Sequence, residues 1–124
     1  MGDYMNPPPP PEIVIVHNDN GGDFYSYLHQ TNRYSTSKQK VALIRCRSAC
    51  TMALSLNNVC VFPNSILGFH AAYYEDTKKI ADTETRILLS MYPTKVRNKL
   101  GELGRDMKML SGRELIDMGI RSCI

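Results

Sequence analysis

The stretch that most constrains this chain is a β-run that passes straight into a helical run of small residues. Val41-Ala42-Leu43-Ile44 reads as a strand buried on both faces. Ala49 to Leu56 suits a short buried helix closed by Asn57-Asn58. Cys46-Arg47-Ser48 lies between them, which stations Ser48 at a strand-to-helix turn. A hydroxyl there stands at a helix N-terminus, where unpaired N–H groups and the positive end of the dipole favour a developing negative charge.

The same alternation extends along the chain. Ile13-Val14-Ile15-Val16 is a continuous β-branched run, expected to be a fully buried strand, and His17-Asn18-Asp19-Asn20-Gly21-Gly22 is a dense turn signal. Asp23 suits an N-cap, with Phe24, Tyr27, Leu28 and Tyr34 near helical spacing until Ser35-Thr36-Ser37 breaks the pattern. Val59-Cys60-Val61-Phe62 is a third strand stopped by Pro63-Asn64, and Ile66 to Phe69 is a fourth. Glu75 to Met91 is predicted as an amphipathic helix with Ile80, Ile87, Leu88 and Met91 inward, ending before Pro93. A further helix is expected over about Thr94 to Leu103 on the stripe Val96, Leu100 and Leu103. Ser111-Gly112-Arg113-Glu114 has the spacing of a capping box, and Gly119 sits where that helix would stop. Strands alternating with helices place the chain in the α/β class.

Composition narrows the function. At 124 residues this is one domain, and 43% hydrophobic with 22% charged residues is ordinary for a globular protein. The net charge of +3 comes from scattered basic residues, with Lys78-Lys79 the only adjacent pair, so there is no stripe for nucleic acid. No apolar run is long enough to span a membrane, and Met1 to Pro11 lacks the pattern of a signal peptide, so the expected location is cytoplasmic. Pro7 to Pro11 favour polyproline II, which makes residues 1–11 a flexible proline-rich leader and residues 12–124 the domain. Cys46, Cys50, Cys60 and Cys123 match no zinc spacing, so no metal is expected. Reduced thiols are the default for a cytoplasmic chain; if oxidised, Cys50 and Cys60 are close enough to meet across a helix–strand turn.

What remains is a nucleophile, a base and a glycine turn. A serine hydroxyl attacks a carbonyl only when a base takes its proton, and His70 at the end of the fourth strand can serve. The Ala49 N–H is one natural oxyanion donor. The pair Gly21-Gly22 can offer a second, because glycine brings backbone close to a ligand without a Cβ. Each residue also has an ordinary reading: a helix cap, a core histidine, a turn.

The arrangement resembles the Clp-type serine peptidases. Asn18-Asp19-Asn20-Gly21-Gly22 stands where they carry Asn-Ser-Pro-Gly-Gly, and Ser48-Ala49 stands where they carry the nucleophile. Phe62-Pro63-Asn64-Ser65 followed by Gly68-Phe69-His70 is similar to their Leu-Pro-Asn-Ser segment and histidine. Leu110 to Ile120 is similar to their closing Leu-Ser-x-x-Glu-Ala-x-x-x-Gly-Leu stretch. The Cys46-to-Cys50 context is closest to short Clp-like proteins of bacteria and phages.

The resemblance implies a ClpP/crotonase-like fold of stacked β-β-α units, shortened at its N-terminus. It implies peptide-bond cleavage with Ser48 as nucleophile, His70 as base then acid, and the Gly22 and Ala49 N–H groups as the oxyanion hole, with no cofactor. Asp106 is the candidate third member, one residue early against Met107 at the aligned position. Asn20 replaces the proline of the glycine turn. A strand–helix unit that family members usually carry ahead of the first strand is replaced by the proline leader, so the chain is expected either to self-associate or to be a truncated product. Homo-oligomerisation through Glu75 to Leu103 is what the resemblance implies, and the sequence names no ATPase partner. Two other readings stand beside the peptidase. One is a catalytically weak or inactive member acting as an assembly module. The other is a crotonase-like acyl-CoA enzyme, which would need no serine–histidine pair.

Overall fold

The computed structural model describes residues 12–37 and 39–124; the proline-rich leader lies outside them. Strand β1 (Ile13–Val16) pairs in parallel with β2 (Lys40–Arg47), and β2 pairs in parallel with β3 (Val59–Phe69). Strand β4 (Lys108–Ser111) runs antiparallel to β3, giving a four-stranded mixed sheet in the order β1-β2-β3-β4. Helix α1 (Phe24–Thr36) connects β1 to β2, and a 3₁₀ helix, Ser48–Ser55, connects β2 to β3. Helices α2 (Asp82–Ser90) and α3 (Thr94–Leu100) lie between β3 and β4, and α4 (Gly112–Asp117) follows β4. Parallel strands need crossovers, and α1 and the 3₁₀ helix are those crossovers. The architecture is mixed α/β.

Local chemistry explains several of the helix boundaries. Asp23 caps α1 by accepting from the Ser26 N–H at 2.9 Å, and that bond holds its carboxyl below the usual range. Ser111 and Glu114 form the reciprocal capping box, at 3.1 and 3.0 Å, and Gly119 ends α4 at φ +102°. Gly101 at φ +64° stops α3, so the helix ends at Leu100 although Leu103 is still buried. Leu43, Met52, Val61, Leu67, Phe69, Val96 and Leu115 are fully enclosed and form the centre of the core. Burying each such side chain contributes about 1.5–3 kcal/mol.

Four expectations are corrected. Strand β1 is not fully buried: Ile13 and Ile15 are 43% and 46% exposed while Val14 and Val16 pack on the core. It is the edge strand, and one of its faces has no covering layer, so the unbroken apolar run signals β-propensity rather than burial. The third and fourth strands are one. Leu43 pairs with Val61 and Arg45 with Ile66, so Phe62 to Ser65 bulge out between those registers. Pro63 is tolerated there because a bulge asks for no ladder hydrogen bond. Ser65 bridges the bulge, accepting from Phe62 N–H at 2.9 Å and donating to the Leu43 carbonyl at 2.6 Å.

The third correction is that the helix expected from Glu75 starts only at Asp82. Residues 73–80 instead form a turn closed by a Tyr73–Ile80 bridge, which leaves Ile80 exposed. The fourth concerns the thiols, which are paired. Cys46 bonds Cys50 and Cys60 bonds Cys123, with Cα atoms 5.4 and 5.0 Å apart. Cys50 and Cys60 therefore do not meet. The second bridge fixes a C-terminal tail that extends the sheet beside β3, with Val61 exchanging backbone hydrogen bonds with Arg121 and Cys123. Among the described residues no helix is long and apolar enough to cross a membrane.

Candidate active site at the Ser48 turn

Strand β2 ends at Arg47, and the next residue turns the chain into the 3₁₀ helix. Ser48 makes that turn at φ +59°, a left-handed conformation that costs a non-glycine residue about 1–2 kcal/mol. Such strain persists only where neighbours hold it, and several do. Thr51 Oγ donates to the Ser48 carbonyl at 2.6 Å. With its own proton committed there, Thr51 must receive the 2.6 Å hydrogen bond from the Tyr92 hydroxyl. Tyr92 is buried against Phe69 with ring centroids 5.2 Å apart, and burial pushes its phenol far above the ordinary range, which keeps it a donor.

The glycine turn is bound to the same place. Asp19 N–H donates to the Arg45 carbonyl at 3.0 Å, and Arg47 N–H donates to the Asp19 carbonyl at 2.8 Å. The Asp19 carboxylate accepts from Gly21 N–H at 2.8 Å and from the Tyr27 hydroxyl at 2.6 Å. Burial, aided by the Asp19 bond, pushes the Tyr27 phenol up to about 12. Gly21 itself, at φ +85°, presses directly on the elbow. A Cβ there would lie 2.6 Å from Ser48 Cβ and 2.8 Å from the Arg47 carbonyl oxygen. Only glycine permits that approach.

Ser48, Ala49, Gly21, Gly22 and His70 all line one cleft of about 660 Å³. The structure thus brings together four of the five predicted site residues: Ser48, His70, Gly22 and Ala49. The Gly22 N–H meets no acceptor among the described residues, and Ala49 N–H belongs to the first turn of the 3₁₀ helix, where donors have no intrahelical partner. Ser48 and His70 both line the cleft, and no hydrogen bond joins them; such bonds often form only when substrate is bound.

Asp106 is not among the groups assembled there. It is exposed in the segment between α3 and β4, outside the cleft lining, and makes no hydrogen bond among the described residues. The His70 ring nitrogen Nδ1 instead lies 2.7 Å from the Ala71 carbonyl oxygen. A carbonyl only accepts, so Nδ1 carries the proton and Nε2 of the neutral ring keeps its lone pair. A backbone carbonyl thereby selects the tautomer that an aspartate would select in a triad.

Sequence reasoning did not single out Asp19, Thr51 or Tyr92. Asp19 had a signal: an aspartate two residues before a glycine is an Asx-turn former. Thr51 stands three residues after Ser48, the spacing for bonding back to a carbonyl within a helical turn. Tyr92 carried no signal, since its partner is 41 positions away. Compared with known proteins, the chain matches no family model and no curated sequence.

Proposed function

We propose that the chain is a serine peptidase-like hydrolase of ClpP/crotonase type that cleaves peptide bonds at Ser48. The observation that carries the reading is the left-handed Ser48 elbow, buttressed by Gly21 and Thr51 and opening into the cleft that His70 lines. Backbone strain is maintained where a side chain must be presented in one direction. Here the presented side chain carries a hydroxyl and lines the same cleft as a histidine whose tautomer is selected.

In the reaction, His70 Nε2 takes the Ser48 proton as Oγ bonds the substrate carbonyl carbon. The carbonyl oxygen becomes an oxyanion, held by the Gly22 and Ala49 N–H groups. The imidazolium then protonates the leaving amine as the C–N bond breaks, giving an acyl-enzyme. Water, deprotonated by the same Nε2, attacks that ester; the acid product leaves and Ser48 recovers its proton. With Ala71 O in place of a carboxylate on Nδ1, no carboxylate among the described residues hydrogen-bonds the imidazolium, so a slow enzyme is expected.

A fluorophosphonate probe tests the reading. Wild-type protein is expected to be labelled, Ser48→Ala not at all, and His70→Ala at least about 10²-fold more slowly. A folded sample that resists labelling would defeat it. Asp106→Asn is expected to label within about twofold of wild type, because no bond joins Asp106 to His70; a loss of 10³ or more in rate would restore the aspartate to the triad.

A second reading, a non-catalytic assembly module, is favoured by one observation. Ile13, Ile15, Ile66, Met107 and Met109 are all exposed on the sheet strands and the segment entering β4. Self-association, as the family resemblance implies, would cover them. The two disulfides favour an oxidising compartment over the cytoplasm.

A further inference from the structure

We propose that the cleft selects substrates carrying a protonated basic side chain beside the scissile bond, an inference that rests on Ser48 being the nucleophile. Among the described residues, the cleft that holds Ser48 and His70 is lined by four aromatic residues, Phe24, Tyr25, Tyr73 and Tyr74, and by three carboxylates, with no lysine or arginine. Asp23, Glu75 and Glu84 supply those carboxylates. Aromatic faces and carboxylates together are the surroundings in which an ammonium or guanidinium is best accommodated.

Two competing side-chain classes fit less well. An acidic side chain would enter beside three carboxylates, of which Asp23 is bonded to Ser26 and only Glu75 has a cation against it, Lys78 at 3.2 Å. A purely apolar one would pack on the rings but strip water from Glu84. That carboxylate has a single partner among the described residues, the Tyr25 hydroxyl at 3.1 Å. Covering a carboxylate so thinly bonded is costly unless the incoming group brings positive charge.

The chain also supplies its own ammonium at the rim. Lys78 Nζ sits 5.5 Å from the centre of the Tyr73 ring and 3.2 Å from Glu75 Oε2. Its backbone is held left-handed, at φ +61°, in the turn closed by Lys78 N–H on the Tyr74 carbonyl at 2.7 Å. Tyr73 and Glu75 therefore already receive a cation in the resting protein, and a substrate cation would compete with Lys78 for them.

The test uses Ser48→Ala protein, which cannot turn over, and three capped amino acids: acetyl-lysine methylamide, its neutral analogue acetyl-norleucine methylamide, and acetyl-glutamate methylamide. Titration followed by NMR is expected to show the lysine compound binding about tenfold more tightly than norleucine, with glutamate weakest. Glu84→Gln should reduce the lysine preference severalfold, and Lys78→Ala should tighten lysine binding. Equal binding of lysine and norleucine, or tighter binding of norleucine or glutamate, overturns the proposal. Fluorophosphonate labelling of the protein with Ser48 intact reports separately on the nucleophile. Labelling without a lysine preference removes the specificity alone, whereas no labelling removes the catalytic reading on which it rests.

Discussion

Gly112→Ala is expected to unfold the protein under conditions where the wild type is stable. Gly112 opens α4 directly beneath the β3 bulge, and a Cβ on it would collide with the backbone carbonyl of Phe62 and touch Ser65 Cβ at 3.1 Å. Flexible side chains can move aside, but this carbonyl belongs to the bulge that Ser65 fastens to both strands. Relief therefore requires shifting α4 as a body, which would pull Leu115 and Ile120 from the core. The cost is about 3 kcal/mol or more, which corresponds to a fall in Tm of roughly 10 °C or more for a domain of this size. Urea denaturation should show a lower midpoint with an unchanged slope. Gly104→Ala is the control, since nothing lies within 4 Å of its added Cβ; its Tm should stay within about 2 °C of wild type. Similar losses in both variants would remove close packing as the cause.

Gly21→Ala is expected to abolish the site while leaving most of the fold. Its Cβ would strike Ser48 Cβ, the Arg47 carbonyl and, at 3.0 Å, the Ala49 nitrogen, and it would have to adopt φ +85°. The three struck atoms belong to the elbow itself, so the nucleophile and one oxyanion donor shift together. A displacement on the order of 1 Å in such a constellation costs about 10² in rate. Fluorophosphonate labelling should fall at least that far. The Tm should fall less than in Gly112→Ala, because the glycine turn lies at the cleft rather than inside the core. Labelling near the wild-type rate would mean that the contact between the glycine turn and Ser48 does not position the nucleophile.

Much of the local structure was legible because its causes are local. The Asp23 cap, the Ser111–Glu114 box and the stop at Gly119 depend on residues within four positions of one another, and all are present. Where expectation and structure part, the cause is a distant partner. Pro63-Asn64 looks like a strand terminator until Ser65 ties the bulge to Leu43, 22 positions away. Glu75 to Ala81 carries helix-compatible residues, yet Ala81 N–H donates to the Ala72 carbonyl at 2.8 Å and Thr85 Oγ accepts from Ala72 N–H at 3.1 Å. Those bonds fold the segment back as a turn and delay the helix to Asp82. Cysteine pairing was equally out of reach, because Cys60 meets Cys123 only through the tail that lies beside β3.

The candidate site divides along the same line. The sequence alone determined that Ser48 stands at a strand-to-helix turn, that Gly21-Gly22 lies in another turn and that His70 stands where a strand stops, since periodicity and turn chemistry act over a few residues. Tertiary structure alone decided that these three line one cleft, that Ser48 is left-handed, and that His70 turns its Nδ1 proton to Ala71 while Asp106 faces solvent. The physical reason is that a backbone angle or a tautomer is set by whichever group ends up within 3 Å. Parallel β-pairing through crossover connections brings those groups from far apart in the chain.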